Sequence, residues 1–366
     1  MNTQIKIVLI SILPSGRGGM ENMILTLIKQ SQLIGNIELF FFDFHNGKNK
    51  NFNITSDIYL PNPTAPRIFQ EISIVMEFRY YLTKTAPDVV LCLDDKSCQI
   101  AYLATAFTKK RKWQLASWLH RSIHTYKKPS AIKRMDFHIA ISSGIKSQLE
   151  HIGINSKDIY LLMNCNTAKT KVPLPEYITT SEKIHFIYIG RIQFEDQKNL
   201  KELLLGFSKL DNISNYHLDI IGSGPVRELQ KCKDFCNALN IKENVTFHGW
   251  HHDAWYYLYR INLHNIAALC LTSTYEGFPL VLIEAISQGI FCISSDCQTG
   301  PKDIINYNNG ILYPLGDTDQ LSLAMQQAAT NKLNRSQIKQ TSLRYSKHQY
   351  TKKFKTIMAS RLKEAN

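Results

Sequence analysis

Short, uninterrupted apolar runs alternate with stretches of helical periodicity along this chain, and this alternation constrains its fold more than any other feature. Continuous runs rich in Val, Ile, Leu and Phe are typical of parallel strands that helices cover on both faces. The alternation therefore predicts an α/β architecture of doubly wound parallel sheets with crossover helices. The predicted strands lie at residues 5–13, 37–42, 89–93, 114–118, 137–141 and 159–162 in the first half, and at 184–189, 217–221, 245–248, 267–271 and 291–294 in the second.

A polar stretch separates the two sets of strands. Residues 166–183 contain Pro173, Pro175 and several Thr and Lys without apolar periodicity, which is typical of a linker. We predict an N-terminal domain at 1–167, a linker at 168–183 and a C-terminal domain at 184–344, with a final helix at about 345–366 that packs back on the first domain. Ligands of doubly wound sheets bind at the carboxyl ends of the strands, so we expect the functional site in a cleft between the two domains.

Hydropathy and cysteine usage favour a cytoplasmic protein. No run approaches the roughly 20 apolar residues of a transmembrane helix. The apolar segment at 5–13 contains Lys6 and lacks a small-residue cleavage site, so we interpret it as a first strand and not as a signal peptide. The eight cysteines show neither disulfide-framework nor zinc-site spacing, which favours a reducing compartment.

Positive charge is concentrated in one interval. The chain has a formal net charge of +13, and no acidic residue occurs between Asp95 and Asp136. Such a field favours a polyanionic partner, although it is equally typical of a solvated basic face. The interval lacks a helix-turn-helix pattern and an aromatic platform, which argues against nucleic acid. We expect segment 109–134 to contact an anionic membrane surface or a phosphorylated acceptor through Lys109, Lys110, Arg111, Lys112, Arg121, Lys127, Lys128, Lys133 and Arg134.

A glycine-rich turn follows the first predicted strand. Gly18 and Gly19 stand directly before a predicted helix, where glycines allow a ligand to approach the backbone and free N–H groups favour an anion. The spacing does not match the dinucleotide-binding fingerprint. Taken alone the turn is weak evidence, because such turns are common in α/β proteins for steric reasons.

Basic residues and glycines also follow two strands of the second half. Gly190 and Arg191 come directly after the strand 184–189, Lys198 opens the next helix, and Gly222 begins the turn after 217–221. An arginine and a lysine at the carboxyl edge of a parallel sheet are suited to bind a diphosphate. The alternative, that both are solvated surface charges, is less favoured at a strand end.

Two glutamates flank the start of another predicted helix. Glu276 lies in the turn after the strand 267–271 and can accept hydrogen bonds from sugar hydroxyls, while Glu284, one turn into the helix, can hold a vicinal ribose diol. Pro279 suits the first helical position, and the positive end of the helix dipole then faces the ligand. The other candidate contacts of this segment are Gly277 and the backbone amides of Phe278, Leu280 and Val281.

Together these motifs resemble family 4 of the retaining GT-B glycosyltransferases. Glu276 and Glu284 form the E-x7-E motif of that family, and the preceding motifs occur in the same order. The resemblance implies a GT-B fold of two Rossmann-like domains facing a central cleft, with an acceptor-binding N-terminal domain and a nucleotide-sugar-binding C-terminal domain. The site residues that it implies are Gly18, Gly19 and His120 near the donor sugar and diphosphate, Arg191 and Lys198 on the diphosphate, Glu276 on the hexose, Glu284 on the ribose, Gly222, Gly277, Phe278, Pro279 and Leu280 around the nucleotide, and Thr272 and Ser273 as lesser polar contacts.

Four longer segments, 139–146, 190–198, 271–279 and 292–301, are similar to the 1,6-galactosyltransferases of the enterobacterial lipopolysaccharide core, a subgroup of this family. This similarity implies a hexosyltransferase that moves galactose from UDP-galactose onto a glucose of the core in α-1,6 linkage. It also implies a peripheral position on the inner face of the inner membrane. A related hexosyltransferase that uses UDP-glucose for another lipopolysaccharide or polysaccharide acceptor is one alternative, and a nucleotide-sugar epimerase on the same fold is another.

We expect neither a metal nor a cofactor beside the UDP-sugar. The pattern Asp317-Thr-Asp319 is similar to the cation-binding D-x-D of other glycosyltransferases, but it precedes an apolar-periodic segment and is interpreted as a helix N-cap. His248, His251 and His252 are too close together to supply tetrahedral ligands without a distant fourth, and their turn is expected near the nucleotide base. The resemblance implies retention of the anomeric configuration, and without a pair of carboxylates placed as nucleophile and acid we expect retention by front-face transfer.

Overall fold

The structure, a computed structural model, describes residues 4–14, 18–44, 58–106, 111–168, 183–330 and 334–364. It divides into two compact units, of which the first comprises Met1–Cys165 and Lys347–Asn366 and the second comprises Asn166–Ser346. Most of the predicted linker, the turn residues 15–17, and Lys109 and Lys110 lie outside the described residues. Within the described residues, no helix combines the length and the apolar character needed to cross a membrane.

The first unit is built on a parallel sheet of seven described strands. Their order in the sheet is β3-β2-β1-β4-β5-β6-β7, and every neighbouring pair is parallel. The strands are β1 (Lys6–Ile12), β2 (Asn36–Phe42), β3 (Ile58–Tyr59), β4 (Val89–Cys92), β5 (Gln114–Leu119), β6 (Phe137–Ala140) and β7 (Ile159–Leu161). The helices between them are α1 (Gly19–Lys29), α2 (Ser31–Ile34), α3 (Arg67–Thr85), α4 (Asp95–Thr105), α5 (Pro129–Ile132) and α6 (Ser143–His151).

The second unit repeats this plan with six described strands. Their order is β10-β9-β8-β11-β12-β13, again parallel throughout. The strands are β8 (Ile184–Ile189), β9 (Tyr216–Ile221), β10 (Val245–Gly249), β11 (Ile266–Leu271), β12 (Phe291–Ser295) and β13 (Gly310–Tyr313). The helices are α7 (Leu200–Ser208), α8 (Val226–Ala238), α9 (Ala254–Arg260), α10 (Leu280–Ser287), α11 (Pro301–Ile304), α12 (Thr318–Thr330) and α13 (Arg335–Thr341).

Central strands of both sheets are buried along their whole length. All four residues of β4 and all six of β11 are buried, as expected for strands covered by helices on both faces. In each sheet the chain first moves outward in one direction and then crosses back, so that β1 lies beside β4 and β8 beside β11. These are the topological switch points, and the carboxyl ends of these strands are where doubly wound sheets bind ligands.

Every strand predicted from the sequence is present, with ends that differ by at most one residue. The short edge strands β3 and β13 were not predicted. Asp317 accepts a hydrogen bond from the backbone N–H of Gln320 at 3.0 Å, just before α12, in agreement with its interpretation as a helix cap.

The last described helix, α14 (Lys347–Glu364), belongs to the first unit although it follows the second unit in sequence. Its apolar side chains Phe354 and Met358 are fully buried. Arg361 fixes the end of the helix, because its guanidinium donates to the Asp136 carbonyl oxygen at 3.2 Å and lies 5.2 Å from the centre of the Phe137 ring. Gln114 exchanges hydrogen bonds with Arg361, donating from Nε2 to its carbonyl oxygen at 3.0 Å.

We expect Arg361→Ala to lower the free energy of unfolding of the first unit by about 2 kcal/mol, since it removes several hydrogen bonds and a ring contact at once. Differential scanning calorimetry measures this as a lower Tm. Lys355→Ala, an exposed change on the same helix, serves as the control and should stay within about 0.5 kcal/mol of the parent. Equal Tm values for the two variants would contradict the anchoring role of Arg361.

Candidate functional site

The centre of the candidate site is the turn between β11 and α10. Lys198 Nζ lies 2.5 Å from Glu276 Oε1, and both side chains are largely buried, with 14% and 9% of their surface exposed. Ser273 donates from Oγ to the same carboxylate oxygen at 2.7 Å. The sequence motifs around Lys198 and Glu276, which are 78 residues apart, therefore meet in one buried ion pair.

The second oxygen of Glu276 differs from the first. Both hydrogen bonds to the carboxylate reach Oε1, and no described residue donates a hydrogen bond to Oε2. Oε2 is also not among the buried side-chain oxygens that lack a partner, so it keeps some exposure to solvent. Oε2 is therefore the atom of this pair that can accept a hydroxyl of a ligand.

Gln197 connects Arg191 to the same turn. Arg191 Nη2 donates to Gln197 Oε1 at 2.7 Å, and Gln197 Nε2 donates to the carbonyl oxygen of Tyr275 at 3.1 Å. Arg191 itself is exposed. The two cationic side chains are thus attached to one turn, Arg191 through Gln197 and Lys198 directly. Sequence reasoning missed Gln197, whose only clue was its place beside Lys198.

Thr272 and Ser273 are fully buried and engaged within the protein. Thr272 Oγ1 lies 3.1 Å from the carbonyl oxygen of Lys198 and 3.0 Å from that of Asn199. Ser273 donates to Glu276, as described above. Both hydroxyls therefore position the Lys198 segment and the Glu276 carboxylate.

Gly222 permits a close approach between the ends of β8 and β9. Its φ is +152°, and a Cβ atom at this position would lie 1.8 Å from the Gly190 carbonyl oxygen. Its backbone N–H donates to the Gly249 carbonyl oxygen at 2.7 Å. Any side chain at 222 would displace the loop that carries Arg191, so the role seen here is steric.

Helix α10 begins at Leu280, one residue later than predicted, so Pro279 occupies the N-cap and not the first helical position. The amides of the first turn have no acceptor within the helix, and the positive end of the helix dipole lies there. Phe278 is buried and its ring centre lies 5.9 Å from that of Tyr345, so its side chain packs in the core and only its amide can face a ligand. Gly277 is buried beside it.

Gly300 allows the segment after β12 to lie against this turn. Its φ is +97°, and a Cβ atom there would lie 2.6 Å from Pro279 Cδ. The neighbouring Thr299 donates from its hydroxyl to the Glu276 carbonyl oxygen. Residues after a third strand therefore also fix the conformation of the Glu276 turn.

Each carboxylate oxygen of Glu284 has a donor from a distant part of the second unit. Thr167 Oγ1 donates to Oε1 at 3.1 Å, and Trp255 Nε1 donates to Oε2 at 3.2 Å. Trp255 is buried in α9. These donors orient Glu284, which is half-buried one turn into α10. Neither donor was recognised from the sequence.

Histidines of β8 and β10 form a hydrogen-bonded cluster around Asp219 of β9. Asp219 is buried, and its two carboxylate oxygens lie 2.6 Å from His185 Nδ1 and 2.7 Å from His248 Nε2. Burial raises the pKa of Asp219, but the hydrogen bonds from the two imidazoles outweigh it and lower the pKa to about 2. His251 stacks on Tyr257, which also lies 2.9 Å from His248 Nδ1. Among the described residues no group of three or more His, Cys, Asp or Glu is arranged to hold a metal ion.

In the first unit, the candidate residues lie at the carboxyl ends of β1 and β5. Gly18 is the N-cap of α1, and a Cβ atom there would lie 2.5 Å from Glu21 Oε2, so a side chain would collide with that carboxylate. Gly19 is the exposed first residue of the helix. Ser15, Gly16 and Arg17 of the same turn lie outside the described residues.

His120 directly follows β5 and has a buried imidazole. Neither ring nitrogen has a hydrogen-bond partner among the described residues, and the ring lies edge-on to Trp118 at 4.4 Å between centres. Burial lowers the pKa of His120 to about 3, so the ring is neutral at pH 7 and can donate from one nitrogen and accept at the other. The sequence left open a simple polar surface residue, and the burial of both nitrogens argues against it.

Comparison with known proteins identifies the family of the chain. The model of the family Glycosyl transferases group 1 matches residues 176–344. The lipopolysaccharide 1,6-galactosyltransferase of Salmonella typhimurium is 36% identical over 327 residues, which cover 86% of this chain and 87% of that protein. The protein of the same name from Escherichia coli is 35% identical over 322 residues, covering 85% and 86%.

Solved structures show the same fold. The apo form of the lipopolysaccharide outer core galactosyltransferase WaaB matches with a TM-score of 0.87 and 33% identity over 98% of this chain and 100% of that one. Anabaena HepE, solved in complex with UDP and glucose, matches with a TM-score of 0.74 and 14% identity over 97% and 100%, a likeness of fold alone. Both units are thus Rossmann-like domains of the GT-B fold. The chain belongs to the group 1 glycosyltransferases.

Proposed function

We propose that this glycosyltransferase moves galactose from UDP-galactose onto a glucose of the lipopolysaccharide core, in α-1,6 linkage and with retention of configuration. The observation that carries the proposal is the Lys198–Glu276 pair, which leaves Glu276 Oε2 available at the end of β11 and lies beside the start of α10. The names and the extent of the relatives described above support the choice of substrates.

Each side chain of the site has a distinct part in this proposal. Lys198 and Arg191 neutralise the diphosphate, and the first-turn amides of α10 add the positive end of a helix dipole. Glu276 accepts hydroxyl groups of the hexose, and Glu284 holds the ribose diol. In the first unit, Gly18 and Gly19 give the donor access to the backbone, and the neutral imidazole of His120 hydrogen-bonds the reacting sugar.

Transfer proceeds on one face of the donor sugar. The bond from the anomeric carbon to the β-phosphate oxygen breaks while the acceptor oxygen bonds to the same face of that carbon. The departing phosphate oxygen takes the proton of the acceptor hydroxyl. The protein contributes position and stabilisation of the leaving diphosphate, which Lys198, Arg191 and the α10 amides provide without a divalent cation.

The proposal includes a location. We place the enzyme in the cytoplasm, peripherally on the inner face of the inner membrane, where lipid-linked core acceptors and anionic headgroups are both at hand. The basic segment 109–134 supports this placement, since Lys127, Lys128, Lys133 and Arg134 are exposed. Arg111 contributes less, because it is paired with Asp136 at 2.5 Å.

The direct test is UDP release from purified protein, with truncated lipopolysaccharide core as acceptor and EDTA present. We expect acceptor-dependent release with UDP-galactose and not with UDP-glucose. Release with UDP-glucose alone would overturn the choice of donor, and loss of activity in EDTA would overturn the metal-free mechanism. Conversion of one UDP-hexose into the other without acceptor would identify an epimerase.

Loss of the hydrogen bond between Trp255 and Glu284 is expected to impair donor binding and little else. We expect Trp255→Phe to raise the KM for the UDP-sugar about fivefold to tenfold and to change kcat less than about twofold, because Glu284 contacts the ribose and not the reacting atoms. Calorimetric titration with UDP measures the affinity directly. Trp113→Phe, in the first unit, is the control. A kcat defect without a change in affinity would contradict this role.

A further inference from the structure

Helix α3 exposes a stripe of large apolar side chains. Ile68, Phe69, Ile72, Met76 and Tyr80, here called the α3 outer face, are between 48% and 67% exposed. Four of them recur at intervals of four residues, so they follow one side of the helix for about 18 Å. An exposed apolar stripe of this length on one element is typical of an interaction surface.

The stripe is additional to the face that holds α3 in the fold. Ile74, Phe78 and Leu82 are buried and attach the helix to the first unit. Gln70 is buried with them and donates to the Ala65 carbonyl oxygen at 2.8 Å. The α3 outer face therefore makes no contribution to the described core, and polar residues there would leave the core unchanged.

Positive charge predominates in the layer of helices that contains α3. Helix α3 packs on α4, and α4 packs on α5. Residues 67–85, 95–105 and 127–134 of this layer contain eight Lys and Arg against three Asp and Glu. Arg79 and Lys84 are exposed on α3 itself, and Lys127 and Lys133 are exposed around α5.

Two of the three acidic side chains in this layer are already engaged within it. Glu71 Oε1 lies 2.5 Å from Lys96 Nζ, and Asp95 Oδ2 accepts the backbone N–H of Lys128 at 2.8 Å. The outward-facing charge of the layer is consequently positive. An apolar stripe within positive surroundings matches a bilayer surface with anionic headgroups, where apolar groups enter the acyl boundary and cations remain at headgroup level.

We propose that the α3 outer face inserts into the surface of an anionic phospholipid bilayer, with the basic residues of α3 and α5 at the headgroups. The proposal rests on the peripheral location given above and adds the element that inserts. Positive charge alone does not distinguish this layer, because α14 is also basic, with exposed Lys352, Lys353 and Lys355. The apolar stripe distinguishes it.

The test is sedimentation of the full chain with vesicles of phosphatidylethanolamine and phosphatidylglycerol. The variant Phe69→Gln/Ile72→Gln/Met76→Gln removes the stripe and keeps good helix formers. The matched control, Leu33→Gln/Leu323→Gln/Leu343→Gln, alters three exposed leucines elsewhere. We expect the first variant to bind these vesicles at least about tenfold more weakly than the parent, and the control to bind as the parent does.

A second arm tests the charge. Lys127→Gln/Lys128→Gln/Lys133→Gln should weaken binding and reduce its salt dependence, whereas Lys352→Gln/Lys353→Gln/Lys355→Gln on α14 should not. Equal binding of parent and stripe variant would overturn the proposal, as would equal binding of the parent to pure phosphatidylcholine vesicles. A parent that is dimeric by light scattering, with a monomeric stripe variant, would instead identify the face as an interface between two copies.

Galactose transfer separates this inference from the proposed function. The stripe variant should transfer galactose to a soluble core oligosaccharide, lacking lipid, at the rate of the parent. Absence of transfer by the parent would contradict the proposed function and leave the vesicle result to decide the docking surface.

Discussion

Replacement of Lys198 by Ala is expected to lower kcat about a thousandfold, because one preorganised charge directed at a developing negative charge contributes about that much. Lys198 is the largely buried cation paired with Glu276, and in the proposed reaction its ammonium stabilises the diphosphate as the glycosidic bond breaks. In the proposed reaction Lys198 contacts the diphosphate of the donor and not the acceptor, so the KM for the acceptor should change less than about twofold. Single-turnover measurement of UDP release at saturating donor isolates this step.

Lys201→Ala is the matched control for this prediction. Lys201 lies three residues after Lys198, in the first turn of α7. Its side chain is 45% exposed and forms an ion pair with the exposed Glu195. Its removal should leave kcat unchanged within about twofold, since an exposed pair contributes little. Circular dichroism must show that Lys198→Ala retains its fold, because it leaves the Glu276 carboxylate without its cation. A folded Lys198→Ala protein with the turnover of the parent would refute the role of the ammonium.

Glu276→Gln is expected to reduce kcat/KM about a hundredfold or more. The amide keeps the size of the side chain but cannot offer two anionic acceptors, so it weakens both the bond to a sugar hydroxyl through Oε2 and the attraction that orients Lys198. The loss should appear with UDP-galactose as donor, whereas affinity for UDP alone, which lacks the hexose, should fall much less.

A double-mutant cycle extends this test. Because Lys198 and Glu276 are in direct contact, the effect of the double variant should be smaller than the product of the two single effects. Glu195→Gln, on an exposed carboxylate of the same loop, controls for a change of net charge. Additive effects of the two substitutions would contradict the coupling between Lys198 and Glu276. Equal loss of affinity for UDP and for UDP-galactose would assign Glu276 to a different part of the donor.

The architecture could be predicted because its strands are continuous apolar runs. Buried strands such as β4 and β11 have no polar residue that obscures the pattern. Strands β3 and β13 escaped prediction for physical reasons. The first has two residues, and the second is a short edge strand that begins with Gly310 after the polar residues Asn306 to Asn309.

Proximity could be predicted for residues in the segments that follow two neighbouring strands. The carboxyl ends of neighbouring parallel strands meet at one edge, so Lys198 and Glu276 could be expected together from sequence order alone. The sequence did not indicate the side chains that orient another residue of the site, such as the two donors to Glu284. Thr167 is 117 residues from Glu284 in the sequence and Trp255 is 29 residues from it. A periodic pattern of apolar residues gives no information on hydrogen bonds between residues so far apart.

Burial also changed the interpretation of individual residues. His120 occurs among exposed basic residues in the sequence, yet its ring nitrogens are buried and its pKa is lowered to about 3. The backbone amide of Phe278 was predicted at the ligand, and the structure adds that its ring packs beside Tyr345. Burial of this kind depends on the packing of the whole unit, which local sequence does not record.

The return of α14 to the first unit has a consequence for synthesis. The first unit needs residues from both sides of the second unit in sequence, since Phe354, Met358 and Arg361 complete a core and a set of hydrogen bonds begun by β5 and β6. During translation, the second unit is continuous and emerges whole before α14 does. The N-terminal sheet, although made first, is therefore completed only after the whole second unit and then α14 have been synthesised.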